Sequence, residues 1–271
     1  MIRNILLAGS ILASTLSASY AQTELNKLDI CPDWDEIDPL IPCQTVDSYG
    51  DLGVLIENAP PGAELTICPF FLRKVTSVAP ITIRNGIKIT CARLDPSSFC
   101  TIVGTGHHIV IDTAEDTLIQ GFSFRQSNDH AINVLGDQEN SESATHSFCQ
   151  TSFFENVRSE ESRGGALMLQ KSSGTVNVVE SFFQDNFSNT FGAAIYSRAN
   201  QLNIILSFFI ANRSNGYGPA LYAAVDGNVM IKTSTFINNR GRGDLDVVFN
   251  PGTLRSGKYN FTRNIHQRHI H

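Results

Sequence analysis

The second half of the chain repeats a short pattern of apolar and polar positions. A Ser or Thr precedes a Phe and an Asn follows that Phe three residues later, in the copies TSFFEN, SFFQDN, SFFIAN and STFINN. The shared rings are Phe153, Phe183, Phe209 and Phe236, which lie 30, 26 and 27 residues apart. In three copies aliphatic residues stand five and seven positions before the ring. This period of two places them on one side of an extended chain, whereas a helix needs a period of 3.6.

A second phrase follows each copy of the first. It reads GGAL from Gly164, GAAI from Gly192, GPAL from Gly218 and, more weakly, GDLDV from Gly243. One such unit is too short to bury its own apolar face, so neighbouring units must stack. The pattern predicts an all-β fold, a parallel β-helix with about three short strands per coil, in which coils stack at about 4.8 Å. Phe183 and Phe209 should share one interior column, and the repeated asparagines should form a ladder at a turn.

The upstream sequence predicts a cap and further coils. Leu52, Leu55, Ile56 and Ala59 have helical spacing between Asp51 and Ala59, and Pro60-Pro61-Gly62 ends that helix. A short N-terminal helix there would cover the open end of the first coil. Strand-like runs follow at 65–69, 81–83, 87–91, 101–103, 109–111 and 118–124. The predicted organisation is an N-terminal extension and cap over 22–59, a β-helix over 60–250, and a C-terminal cap or tail over 251–271.

The first 21 residues read as a secretory signal peptide. Arg3 supplies a positive start, Ile5 to Leu16 form an apolar stretch too short to span a bilayer, and Ser19-Tyr20-Ala21 resembles a cleavage site. No later segment approaches 18 uninterrupted apolar residues, so no membrane span is expected. The sequence therefore predicts a secreted, extracellular protein. Association with a cell wall is an alternative within that prediction.

Six cysteines follow this segment, and an even number suits an oxidising compartment. Six cysteines allow 15 pairings. Short intervals that contain proline favour two pairs, Cys31 with Cys43 and Cys91 with Cys100. A competing pair joins Cys68 to Cys91, and Cys149 is left without an assigned partner. No C-x-x-C pair is present, so no metal site is predicted.

The composition of the chain restricts the classes of partner that it is expected to bind. With 271 residues, 42% of them hydrophobic and 17% charged, the chain can bury a sizeable core. Its formal net charge of −6 lacks the basic footprint of a nucleic-acid binder. Three N-glycosylation sequons begin at Asn186, Asn212 and Asn260. Because the first two coincide with the ladder, Asn260 is the predicted acceptor.

The F-x-x-N and G-G-A-[I/L] phrases resemble repeats of polymorphic outer-membrane proteins and adhesins. The whole chain resembles the pectin-lyase-like superfamily, which implies a right-handed parallel β-helix. That superfamily includes lyases, hydrolases, epimerases, adhesins and proteins without catalysis, so the resemblance alone assigns no activity. Its lyases use clustered carboxylates for calcium and a basic side chain for proton abstraction. The resemblance thus implies calcium only if the chain is a lyase, and no cofactor is otherwise expected.

One outward column carries the predicted binding site. If Leu167, Ile195 and Leu221 point inward, their neighbours Met168, Tyr196 and Tyr222 point outward in register, with Asn133 one coil earlier and Arg198 beside the tyrosines. These positions hold no carboxylate. They therefore favour a noncatalytic module that binds a polysaccharide or a cell-wall or surface partner by stacking on sugar rings.

Two other functions stay open. The first is a polysaccharide lyase or glycoside hydrolase with an unrecognised site, and the second is a structural wall or coat protein. An enzyme would require carboxylates and a Lys, Arg or His to converge on one groove. The sequence offers an acidic turn at Asp112, Glu115 and Asp116, and two histidine segments, Gly106-His107-His108 and Asn128-Asp129-His130. None matches a known hydrolase motif, and the acidic turn is more typical of a solvated loop.

Overall fold

A computed structural model describes residues 30–32, 42–93, 99–136, 143–158, 163–171, 173–224, 227–243, 246–249 and 266–267. Over these residues the chain is a parallel β-solenoid of about six turns, with one short helix before the coils. The predicted fold class is confirmed. The signal segment and Asn260 lie outside the described residues.

Each coil contributes strands to three long sheets, and every pairing between coils is parallel. Sheet A contains β1 (Ala63–Ile67), β4 (Ile87–Cys91), β7 (Thr117–Gln120), β10 (Thr145–Cys149), β14 (Thr175–Val179), β18 (Gln201–Ile205) and β22 (Asn228–Lys232). Sheet B contains β2 (Phe70–Lys74), β5 (Cys100–Gly104), β8 (Phe122–Arg125), β11 (Ser152–Phe154), β15 (Phe182–Gln184), β19 (Phe208–Ile210), β23 (Thr235–Ile237) and β25 (His266–Gln267). Sheet C contains β3 (Ile81–Ile83), β6 (Ile109–Ile111), β9 (Ile132–Val134), β13 (Leu167–Leu169), β17 (Ile195–Ser197), β21 (Leu221–Ala223) and β24 (Val247–Phe249). A short sheet D, between B and C, contains β12 (Val157–Arg158), β16 (Phe187–Ser188) and β20 (Arg213–Ser214).

The interior is a column of stacked rings, as the repeat predicts. Phe153, Phe183, Phe209 and Phe236 are paired in register on consecutive strands of sheet B and are buried. Adjacent ring centroids are 4.6, 4.8 and 4.8 Å apart, and the rings are almost parallel. The aliphatic pairs of sheet A, such as Val176 and Val178, are also buried.

An asparagine ladder turns the chain out of sheet B. The Nδ2 of Asn186 donates to the Oδ1 of Asn212 at 2.9 Å and to the carbonyl oxygen of Phe153 at 3.0 Å. The same contacts recur from Asn156 to Asn239. The left-handed backbone, however, falls on the residue before each asparagine, such as Asp185 with φ of 54°. The asparagine is therefore required for its buried amide, and its neighbour makes the turn.

The predicted cap is a helix, α1 (Tyr49–Glu57), slightly earlier than the expected 51–59. The Ser48 hydroxyl accepts a hydrogen bond from the Asp51 amide, which fixes the start of the helix. The hydroxyl of Tyr49 accepts from the Ile81 amide, and Glu57 accepts from the Thr82 amide. Side chains of α1 thus satisfy N–H groups of β3, the edge strand of sheet C.

The three disulfides join Cys31 to Cys149, Cys43 to Cys68, and Cys91 to Cys100. The predicted Cys91–Cys100 pair is confirmed, and the predicted Cys31–Cys43 pair is wrong, as is the competing Cys68–Cys91 pair. Residues 30–32 lie against the outer face of sheet A, where Cys31 packs with Leu118 and Val179. This position places Cys31 beside Cys149 of β10. Among the described residues, no helix is long and apolar enough to cross a membrane.

Candidate functional site

The predicted tyrosine column exists, but it is not an open strip. Pairing places Asn133, Met168, Tyr196 and Tyr222 in one register across sheet C, and the two tyrosine rings stack with centroids 5.7 Å apart. Tyr196, however, is only 1% exposed. The column therefore offers a ligand less aromatic surface than the alternation of the strands predicts.

A neighbouring arginine explains this burial. Arg163 donates from Nη1 to the Tyr196 hydroxyl at 2.7 Å, and its guanidinium carbon lies 5.3 Å from the ring centroid. Burial raises the pKa of Tyr196, while the charges of Arg163 and Arg198 oppose that shift. Arg198 is therefore close to Tyr196, as predicted, but Tyr196 is a packed residue. Phe191 covers the other tyrosine, with its ring 4.6 Å from that of Tyr222.

A groove with exposed rings lies on the outer face of sheet B, and we call it the sheet B trough. It is a cavity of about 440 Å³, within the usual range of about 300–1,000 Å³ for ligand pockets. Its lining consists of Phe70, Phe71, Phe99, Thr101, Ser123, Arg125, Ser152 and Phe154. Aromatic walls thus enclose hydroxyl groups and one cation.

Strand register explains this arrangement. Phe71, Thr101, Ser123 and Ser152 occupy one outward column on β2, β5, β8 and β11, so the three hydroxyls lie between larger side chains. The same column continues with Phe182 and then with Phe208, which is 46% exposed. Phe71 is 70% exposed. A ring so exposed at the end of a groove is available to a partner.

Arg125 provides the charge of the sheet B trough. Its guanidinium carbon lies 4.5 Å from the centroid of the Phe154 ring, and its Nε donates to the Ser123 hydroxyl at 3.4 Å. The side chain is exposed, so its remaining N–H groups face solvent. Described residues that line the cavity include no carboxylate. The trough can thus stack on apolar faces and donate to oxygen atoms.

A second groove, on sheet A, brings acids and a base together. A cavity of about 430 Å³ is lined in part by Lys88, Glu115 and Asp116. Glu115 accepts from the Gly86 amide and Asp116 from the Thr145 amide at 2.7 Å, so both carboxylates hold turns. Lys88 pairs with Glu64 at 2.7 Å on an exposed surface.

These acids do not fit the calcium site that a lyase would need. Two of the carboxylates of the acidic turn already accept backbone N–H groups. Among the described residues, no group of three or more His, Cys, Asp or Glu side chains is placed to hold a metal ion.

The two histidine segments meet at one bend between sheets B and C. His107 Nε2 lies 3.2 Å from Asp129 Oδ2, and the His107 and His130 rings stack at 5.3 Å. His130 Nδ1 is 2.6 Å from the carbonyl oxygen of Gly164, and burial lowers the pKa of His130 to about 4. His130 is thus a neutral residue that ties neighbouring coils together.

The outward residues of sheet B were not predicted as a site. Each lies next to an inward ring, as Phe154 follows Phe153, and as Phe182 and Phe208 precede Phe183 and Phe209. Strand alternation predicts that such neighbours point outward. The adjacent phenylalanines in the SFF and TSFF segments indicate this outward face, because one ring of each pair lies in the core and the other lies on the surface.

No family model, no curated protein and no solved structure matches this chain.

Proposed function

We propose that this protein is a noncatalytic extracellular module that binds a polysaccharide through the sheet B trough. The observation that carries the proposal is the trough lining, where exposed rings, three hydroxyls and one arginine adjoin without a carboxylate. A sugar has an apolar C–H face and a rim of hydroxyls, so it needs both kinds of group from its binding site.

The face offers several weak contacts rather than one strong pocket. Rings continue past the trough, with Phe154 and Phe182 centroids 5.5 Å apart and Phe182 and Phe208 centroids 6.2 Å apart. A polymer that engages several coils at once gains affinity from each contact, which suits a polysaccharide better than a single sugar.

Binding is tested by retention of the purified protein on a panel of neutral and acidic polysaccharides. Phe71→Ala and Arg125→Ala should each weaken retention about fivefold, since each contact contributes about 1 kcal/mol. The matched controls are Tyr217→Ala, which removes a ring that is 38% exposed away from sheet B, and Arg213→Ala on sheet D.

The controls decide the location of the site. Both control variants should be retained like the parent protein, and all four should keep its thermal stability. Absence of retention in the parent, or equal retention of Phe71→Ala and Tyr217→Ala, contradicts the proposal.

The sheet A groove supports a second candidate, a polysaccharide lyase or glycoside hydrolase. Its basis is the shared cavity of Lys88, Glu115 and Asp116, which is the convergence that an enzyme requires. The parent protein would then release soluble products from a retained polymer, and Lys88→Ala would stop that release without affecting retention. Retention with no product in the parent protein favours the binding module.

The location and the family are part of the same proposal. Three disulfides support an oxidising compartment, and the signal-like N-terminus supports secretion. The parallel coils and the asparagine ladder support a divergent member of the pectin-lyase-like superfamily.

A further inference from the structure

The outward column that begins at Phe71 stays in register across sheet B. From β2 to β23, each of its residues pairs with a residue of the next coil without a shift along the strand. The column therefore forms a row that runs along the coil axis. A partner that follows this row over several coils must itself be straight and extended.

The chemistry of the row repeats once per coil. Thr101, Ser123 and Ser152 carry hydroxyls on successive strands, about 4.8 Å apart, and the middle hydroxyl, of Ser123, is buried beneath Arg125. The rings of Phe182 and Phe208 continue the column beyond the trough. The matching ligand carries polar groups and apolar faces at a regular spacing of this order.

We propose that the sheet B trough recognises a glycan whose sugars are joined through equatorial bonds, lying along the coil axis with about one sugar per coil. Equatorial bonds at C1 and C4 of a pyranose extend the chain into a flat ribbon with apolar faces and hydroxyl edges. Axial bonds coil the chain, as in malto-oligosaccharides, or buckle it, as in oligoguluronates, so that its sugars do not lie flat along the row. This inference rests on the proposed function and specifies its ligand class.

An extended polypeptide fits the row less well. Peptides that add to a sheet gain affinity from main-chain hydrogen bonds at a strand edge. The outer face of sheet B presents side chains, and its backbone groups already pair between coils. A glycan ribbon, with its apolar faces and hydroxyl edges, can contact the outward rings, hydroxyls and arginine of this face.

The experiment compares oligosaccharides of equal length that differ in linkage geometry. The neutral pair is a cello-oligosaccharide and a malto-oligosaccharide, and the acidic pair is an oligomannuronate and an oligoguluronate. Calorimetric titration of the full protein should show about tenfold tighter binding of the equatorial member in at least one pair. Affinity should rise steeply with length up to the number of coils that the trough spans.

Two substitutions in one column locate the effect. Ser152→Phe fills the floor of the trough with the ring type that the next coil already carries, and it should abolish the preference. Thr235→Phe places the same ring in the same column beyond Phe208, on β23, and it should preserve the preference.

The outcomes separate the two proposals. Equal affinity within both pairs, or tighter binding of the axial member, overturns the inference while retention through the trough stands. Retention on other polysaccharides with no binding of any of the four oligosaccharides does the same. A protein that no polysaccharide retains overturns both proposals, and capture by an extended peptide alone would identify a protein partner instead.

Discussion

Adjacent phenylalanines of this chain have different roles, because strand alternation places one ring in the core and the next ring on the surface. Phe209 is fully buried between two parallel rings, whereas Phe208, next to it on β19, is 46% exposed. We expect Phe209→Ala to lower the free energy of unfolding by about 3–5 kcal/mol. Phe208→Ala should lower it by less than about 1 kcal/mol. Chemical denaturation of both variants checks this pair, and similar losses would contradict the assigned phase.

The asparagine ladder makes a second prediction at this scale. Asn186→Ala removes the acceptor of two N–H groups from Asn156 and the donor to the Phe153 carbonyl, all of them buried. Leaving such groups unpaired costs about 1–3 kcal/mol each, so we expect a loss of at least about 3 kcal/mol. Asn215→Ala is the control, because Asn215 donates to Asn189 on the exposed surface. A thermal melt in which the two variants match would show that the ladder adds little stability.

At the scale of strands, periodicity predicted the fold but not every boundary. The run 118–124 divides into β7 and β8, because Gly121 bends the backbone with φ of 75°. The predicted run 65–69 overlaps only β1, and β2, with the sequence FFLRK, was not predicted as a strand. The repeats indicate which strands stack on one another. The corner between two strands depends on the backbone conformation of a single residue, and the pattern of apolar and polar positions does not determine that conformation.

The disulfides could be predicted only where both cysteines lie close in sequence. Cys91 and Cys100 are 9 residues apart, and the confirmed pair follows from that short interval. Cys31 and Cys149 are 118 residues apart, and their contact depends on the path of residues 30–32 over sheet A. No pattern in the sequence indicates that path.

Loop length also ranks the disulfides by their effect on stability. The loss of chain entropy in the unfolded state predicts a stabilisation of about 4.9 kcal/mol from the Cys31–Cys149 disulfide, which closes the longer loop. The Cys91–Cys100 disulfide closes the shorter loop and should contribute about 2.7 kcal/mol. We therefore expect the double variant C31S/C149S to unfold more easily than C91S/C100S by about 2 kcal/mol. Denaturant titration of both variants, with folding verified by circular dichroism, checks this order. The reverse order would show that local strain outweighs chain entropy.

Across the whole molecule, the outer faces of sheets B and C illustrate what a sequence pattern leaves out. Alternation along single strands placed the tyrosines of sheet C outward correctly, yet the bend that carries Arg163 covers Tyr196. Accessibility depends on neighbouring coils, whereas alternation describes one strand at a time. The sheet B trough arises for the same reason, since three coils with small outward residues lie between coils that carry outward rings in the same column.

Three buried histidines in successive coils couple the stability of the molecule to pH. Burial lowers the pKa of His108, His130 and His146 to about 4 each, against about 6.5 in an unfolded chain. Because the folded pKa is the lower one, the unfolded state binds more protons between these values, and stability falls as pH falls from 6.5 toward 4. Each histidine should cost about 2 kcal/mol between pH 7 and pH 5. In His146→Gln the fall in unfolding free energy over that range should be smaller by about this amount, whereas Asn215→Ala, which removes an exposed amide and no titratable group, should retain the parent slope. Urea titrations at several pH values measure both slopes, and an unchanged slope in His146→Gln would show that His146 does not enter the fold as a neutral imidazole.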